Sequence, residues 1–281
     1  YLLRNKQDCM IHVKQSPKIE NLVLSGGGVR GLIDIGAVRA LEKYDLLNGI
    51  SNIAGTSIGA LIGAAVSFGM NSADLESIME NLDFKNLLGA KTGGFIKRDG
   101  LPLLNFVDSF IKNALRHYFL KNNDPETRTK CSSILKKLNT DFEITFQDLE
   151  LLREIDSIAF KKLYIKSYCI EKKMPVTFDS KTTPNLGIAT ACRASASLPV
   201  ELKHTKIQAD LLSNLFDLDE DIRIYSFADG GINDNIPTDI FESDPDRVTG
   251  EFDQNLKTLA FVFDESPDDS QRSFFDTIHV N

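Results

Sequence analysis

The sequence predicts an α/β fold: a mostly parallel central sheet flanked by helices, with a helical insertion. Asn21 to Ser25 is a short apolar run that ends in three glycines, as a buried parallel strand entering a tight turn does. Ile50 to Ala54 repeats the device ahead of G-T-S-I-G, and a helix-forming segment follows each run. Two strand–turn–helix units so close together make a parallel sheet the most economical architecture. The chain's 281 residues, 42% hydrophobic and 26% charged, fit one large globular domain and exclude disordered, collagen-like and coiled-coil classes.

After the first strand, Ile33, Ala37, Ala40, Leu41 and Tyr44 recur at helical spacing and predict an inward face, with Gly49 just beyond. Ala60 to Phe68 is small and apolar on every side, so its helix must be buried. Residues 83–141 read as an insertion: a loop from Gly89 to Gly100, an amphipathic helix carrying Leu103, Phe106, Val107, Phe110, Ile111 and Leu115, and a polar surface loop from Lys121 to Lys130 that contains Pro125. The insertion suits either a helix packed on the core or a lid that faces lipid. Thr145 with Asp148 marks a helix start whose stripe is Phe146, Leu149, Leu152 and Ile155. Leu163–Ile170, Pro175–Phe178, Asp221–Ala228 and Leu256–Phe263 read as strands and Leu186–Arg193 as a helix. The organisation expected is an extension over residues 1–20, one domain over 21–265 and a C-terminal segment over 266–281 leading into further chain. Tyr1 in place of Met leads us to expect a native start upstream.

The net charge of −8 argues against nucleic acid as the partner, since phosphate neutralisation needs surplus Lys and Arg. Residues 201–281 carry 19 acidic and 6 basic side chains, leaving residues 1–200 near +5, so the first part would meet an anionic surface. Cys9, Cys131, Cys169 and Cys192 show neither metal spacing nor a disulfide framework, which favours a reducing compartment and gives metal catalysis no support.

Three glycine-rich motifs close predicted strands. G-T-S-I-G sets Ser57 between Gly55 and Gly59, where small neighbours permit a sharp bend and the next helix offers N–H groups to a developing anion. The same residues also suit a turn whose serine caps that helix. G-G-G-V-R-G, with Gly26, Gly27, Gly28, Arg30 and Gly31, fits a loose dinucleotide pattern, but the acidic residue expected some twenty positions on is replaced by Ser51 and Asn52. Leu32 and Ile33 stand where a phosphate loop needs Lys and Ser/Thr. What remains is a donor-rich loop at a helix start, suited to an oxyanion, beside a permanent cation able to hold a phosphate. D-G-G-I-N-D-N-I-P places the Asp229 carboxylate at the C-terminal end of a strand, where ligands gather in such sheets, although an Asx turn would use the same residues.

These motifs, in this order, resemble the patatin-like phospholipase family: G-G-G-x-R/K-G, then G-x-S-x-G, then D-G-G/A, with A-C-R-A-S-A-S-L-P at Ala191 to Pro199 similar to a further family block and Asn235 and Pro237 following the D-G-G. The resemblance covers roughly residues 20 to 265. Ser25 stands where many members have Asp, and the insertion aligns to nothing in the family pattern. The resemblance implies a patatin-like three-layer fold and a phospholipase A with a Ser–Asp dyad. Ser57 would be the nucleophile and Asp229 its base. Gly27 and Gly28, within the stretch from Gly26 to Gly31, would supply oxyanion N–H groups, and Arg30 would contact the lipid phosphate.

The resemblance implies no cofactor and no metal. The partner expected is a phospholipid membrane surface, met peripherally through Leu103 to Leu120 and Lys97, Lys112 and Lys121; similarity to secreted bacterial effectors adds a host activator protein. Two alternatives stand beside this reading. One is a Ser–Asp–His esterase using His279, since His12, His117 and His204 all precede Asp229. The other is a non-catalytic binding module on the same fold.

Overall fold

The computed structural model describes residues 2–4, 10–12, 18–80, 87, 98–199, 201–232, 235–242, 257–263 and 278–279. Strands β1 (Leu2–Arg4) and β2 (Met10–His12) pair antiparallel as a small separate sheet. The main sheet begins with β3 (Asn21–Leu24), buried at every position as an interior parallel strand is. Helix α1 (Leu32–Lys43) follows through a 3-10 turn at Gly28–Gly31, then β4 (Asn52–Thr56) and α2 (Ile58–Ser67). Nine of the ten residues of α2 are buried, as its apolar circumference requires.

Next come α3 (Ser72–Glu80), α4 (Leu101–Lys121), α5 (Pro125–Lys130), α6 (Ser132–Lys137) and α7 (Phe146–Ile155). They precede β5 (Lys162–Cys169), β6 (Met174–Phe178), α8 (Ile188–Ser195), β7 (Thr205–Gln208), β8 (Ile224–Asp229), α9 (Asp239–Glu242), β9 (Thr258–Phe261) and β10 (Ile278–His279).

The strand order is β10-β9-β3-β4-β5-β8-β7, with β6 also on β5. The centre, β9-β3-β4-β5, is parallel, and the remaining pairings are antiparallel. Leu22, Leu24 and Ile53 point into the large core with α1, α2 and α8. Val23, Ala54 and Ala260 point the other way, under Ile236, Ile240 and Phe241. This is the α/β arrangement the sequence predicts, helices on both faces of a sheet whose centre is parallel. Among the described residues no helix is long and apolar enough to cross a membrane.

Local chemistry explains the elements and several departures. The α7 start is a capping box: the Thr145 hydroxyl accepts from the Asp148 amide, and Asp148 accepts from the Thr145 amide. Lys121–Lys130 is not simply a loop: Pro125 occupies the first position of α5, where a missing N–H costs nothing, and Asp124 caps it by accepting from the Thr127 amide at 2.9 Å. Ile33 and Tyr44 do not join the inward face of α1; they are 55% and 61% exposed, while Asp34, Ile35 and Val38 turn inward.

The apolar stripe of α4 packs into the core through Leu103, Val107, Phe110, Ile111, Leu115 and Phe119, while Leu101 and Leu120 near its two ends are exposed. Lys112, expected at the membrane surface, is instead buried: its side chain is 6% exposed, paired with Asp108 at 2.6 Å and donating to the Thr140 carbonyl at 2.9 Å. Lys121 is exposed. Lys97, the rest of 88–97, and most of the predicted C-terminal segment lie outside the described residues.

Candidate active site

The site forms where β4 and β8 end. β4 runs parallel to β5, with Thr56 opposite Lys166; β8 runs antiparallel to β5, with Asp229 opposite Ser167. β6 occupies the opposite edge of β5 over the same stretch, so β4 and β8 share one edge and meet end to end. The next residue after β4 is Ser57, and its Oγ donates to Asp229 Oδ2 at 2.8 Å. The two residues are 172 positions apart in sequence.

Ser57 sits in the turn from β4 to α2 with φ 54° and ψ −121°, a backbone state that L residues resist and that costs roughly 1–3 kcal/mol. The flanking glycines make the bend possible. A methyl at Gly59 would overlap the Leu24 carbonyl, and one at Gly55 would overlap the Gly59 carbonyl. The Ser57 amide donates to Ser195 Oγ at 2.8 Å, and that hydroxyl donates to the Lys166 carbonyl at 2.6 Å.

Asp229 is 2% exposed. Burial raises its pKa above the ordinary carboxylate range; the Gly231 amide, donating to Oδ1 at 2.8 Å, and the Ser57 hydroxyl pull it down in part. Its own amide donates to the Ser197 carbonyl at 3.0 Å. Gly230 must be glycine because a side chain there would press on the Lys166 carbonyl.

The glycine loop lies against this pair. Gly26 approaches Ser57 so closely that an added Cβ would be 3.3 Å from the Ser57 Cβ. The Gly26 amide, however, donates to the Asn235 carbonyl at 3.1 Å, and the Gly26 carbonyl accepts from Asn235 Nδ2 at 2.8 Å. Gly26 is therefore a spacer rather than an oxyanion donor. Gly27 packs under the Phe263 ring, and Gly28 has φ +57° with open space around it. Among the described residues neither the Gly27 nor the Gly28 amide has an acceptor. Gly31 abuts Ile58. Arg30 belongs to the 3-10 turn by its backbone, and its side chain lies outside the described residues.

His279 lies on β10, with β9 and β3 between it and β4. The braces formed by Ser195 and Ser197 are absent from the sequence-level site. The only sequence signal for them is their place in the A-S-A-S stretch.

A model of patatin-like phospholipases matches residues 22–242 of this chain. The chain belongs to the patatin-like phospholipase family. The probable lipid hydrolase 463L of Invertebrate iridescent virus 6 is 26% identical over 79% of this chain and 62% of its own length. Among solved structures, VipD from Legionella pneumophila shares the fold with a TM-score of 0.63 at 20% identity, over 92% of this chain and 52% of VipD. ExoU from the type III secretion system of Pseudomonas aeruginosa, solved in complex with SpcU, aligns with a TM-score of 0.56 at 25% identity, over 66% of this chain and 39% of that one. The chain thus spans less than two thirds of each of these relatives.

Proposed function

We propose that this patatin-like chain is a lipid acyl hydrolase of phospholipase A type, cleaving acyl esters of glycerophospholipids through a Ser57–Asp229 dyad. The observation that carries the reading is the 2.8 Å hydrogen bond from the Ser57 hydroxyl to Asp229 inside a buried site against which the glycine loop packs. Asp229 takes the Ser57 proton as Oγ attacks the ester carbonyl; the carbonyl π pair moves onto oxygen, facing the Gly27 and Gly28 amides. Collapse of that intermediate expels the lysolipid alkoxide, which takes the proton from Asp229 and leaves acyl-Ser57. Water, deprotonated by Asp229, then attacks the acyl group and releases the fatty acid as Oγ recovers its proton.

An ordinary carboxylate is a weak base for a serine, and the burial of Asp229 supports the assignment by raising its basicity. Arg30, one residue before Gly31, is the proposed contact for the lipid phosphate. Direct Ser57–Asp229 contact favours a dyad over a triad through His279.

The substrate is proposed to be met at a bilayer surface. Leu198 and Ile232 are 43% and 54% exposed and adjoin Ser197 and Gly231, which bond Asp229, and Ile33, two residues after Gly31 of the glycine loop, is 55% exposed. ExoU is solved with a protein partner, SpcU, which supports testing for an activator of this chain.

The test is labelling by a fluorophosphonate probe together with mass spectrometry of lipid products, with and without eukaryotic cell extract. Label on Ser57 and fatty acid release, both lost in Ser57→Ala and kept in His204→Ala and His279→Ala, are expected. Loss of activity in either histidine variant would overturn the dyad, and no label under any condition would overturn the hydrolase.

A further inference from the structure

The inference rests on the dyad reading and concerns what holds the dyad in shape. We propose that Ser195, at the end of α8, is a positioning residue that clamps the backbone of Ser57 so that Oγ meets Asp229. The Ser195 hydroxyl has one proton, and the 2.6 Å bond to the Lys166 carbonyl takes it. A lone pair is thereby left facing the Ser57 amide, which it meets at 2.8 Å. Ser195 is fully buried, so no bulk water competes for either bond.

The clamp acts where the chain is under strain. Ser57 has φ 54°, and a buried amide left without an acceptor would favour relaxation of that turn. Lys166 is the β5 residue opposite Thr56, so the clamp ties the serine turn to the strand that also pairs with β8. Two residues on, the Ser197 carbonyl accepts from the Asp229 amide at 3.0 Å, and the Ser197 hydroxyl donates to the Arg193 carbonyl at 2.7 Å. One short segment therefore grips the main chain of both dyad members. The Ser57 amide, being engaged, donates nothing to an oxyanion, which leaves that task to the loop amides.

The experiment compares Ser195→Ala, Ser195→Thr and Ser195→Cys with the intact chain, using hydrolysis of a short soluble ester, inactivation by a fluorophosphonate, and hydrogen exchange at the Ser57 amide. Ser195→Ala is expected to lower kcat and the inactivation rate by about 10- to 100-fold, comparable to loss of a buried hydrogen bond at a site. KM should stay within about twofold, and the pH inflection should move upward, because a Ser57 hydroxyl that no longer meets Asp229 gives up the hydrogen bond that pulls its carboxyl down.

Ser195→Thr should restore most of kcat, and the Ser57 amide should exchange faster in Ser195→Ala than in Ser195→Thr. Ile134→Val, a core truncation on α6, controls for stability alone. A folded Ser195→Ala with unchanged kcat, or a folded Ser195→Thr no better than Ser195→Ala, overturns the proposal. If Ser195→Ala does not fold, Ser195→Cys carries the test through its weaker acceptor: a full kcat there overturns it too. An inactive, unlabelled wild type would instead sink the dyad, and amide exchange would still decide the clamp.

Discussion

Thr56 and Asp229, the last residues of β4 and β8, lie opposite consecutive residues of β5, Lys166 and Ser167. One strand arrives parallel and the other antiparallel, so their ends face each other along a shared edge. Strand pairing thus brings Ser57 beside the Asp229 carboxylate. A slip of one residue in either register would move the ends by about 3.3 Å, more than a hydrogen bond tolerates.

The Asp229 environment sets the pH dependence of activity. Its carboxyl is raised above the ordinary range by burial, and the base form is the one that accepts the Ser57 proton. The rate should therefore fall as pH drops through that raised value, an inflection above the usual carboxylate range. Asp229→Asn should reduce kcat by about 10²- to 10⁴-fold at every pH. Initial rates with a soluble ester from pH 4 to 9 check both. Stability runs the opposite way: the folded state holds this proton more tightly than the unfolded one, so the stabilisation is present below the ordinary carboxylate pKa and is lost as pH rises through the raised one.

Asp34 should make the fold itself sensitive to pH. It is 2% exposed in the first turn of α1, its Oδ2 has no partner among the described residues, and burial pushes its pKa up to about 8. The folded state favours the protonated acid, so stability is lost as pH climbs from about 4 to about 8 and levels off beyond. Asp34→Asn should flatten this part of the slope, the gain over wild type growing by on the order of 1.4 kcal/mol per pH unit in that window. Urea denaturation at pH 5, 7 and 9 measures it.

Two glycine-to-alanine changes should have opposite signs. Gly59→Ala forces a methyl into the Leu24 and Ser25 carbonyls and should cost several kcal/mol, on the order of an overpacked core, or prevent folding. Gly36 lies within α1 with nothing near its missing Cβ, so Gly36→Ala should gain about 0.5–1 kcal/mol. Thermal melts of the two variants suffice.

Lys112→Glu should damage the fold rather than vesicle affinity. It places a buried negative charge beside Asp108 and removes the donor to the Thr140 carbonyl, a loss of about 3–5 kcal/mol for a broken buried pair. A melting temperature that fell little while vesicle binding dropped would return Lys112 to the membrane surface.

What the sequence made legible is what local pattern encodes. The apolar runs before Gly26 and Gly55, the capping pair Thr145 and Asp148, and the wholly apolar α2 all act within a few residues, and the structure has them as read. Ser57 and Asp229 stood out through their glycine neighbours, which mark close backbone approach. Long-range partners left no such mark: the Ser57–Ser195 contact joins residues 138 apart. Charge and periodicity also misled locally. Lys112 reads as surface until Asp108, one turn earlier, neutralises it, and the α1 spacing admits two overlapping faces, of which the one holding Asp34 is buried.

Among the described residues six helices, α2 to α7, lie between β4 and β5, which are adjacent strands of the sheet. Both ends of that excursion are fastened by strand pairing before it starts and after it returns. Doubling the length of such a connection adds only about 0.6 kcal/mol of closure entropy. Lineages of this fold are therefore free to grow, trim or exchange the material between these two strands, altering what the protein selects and where it docks, without recalibrating the chemistry that the strands hold in place.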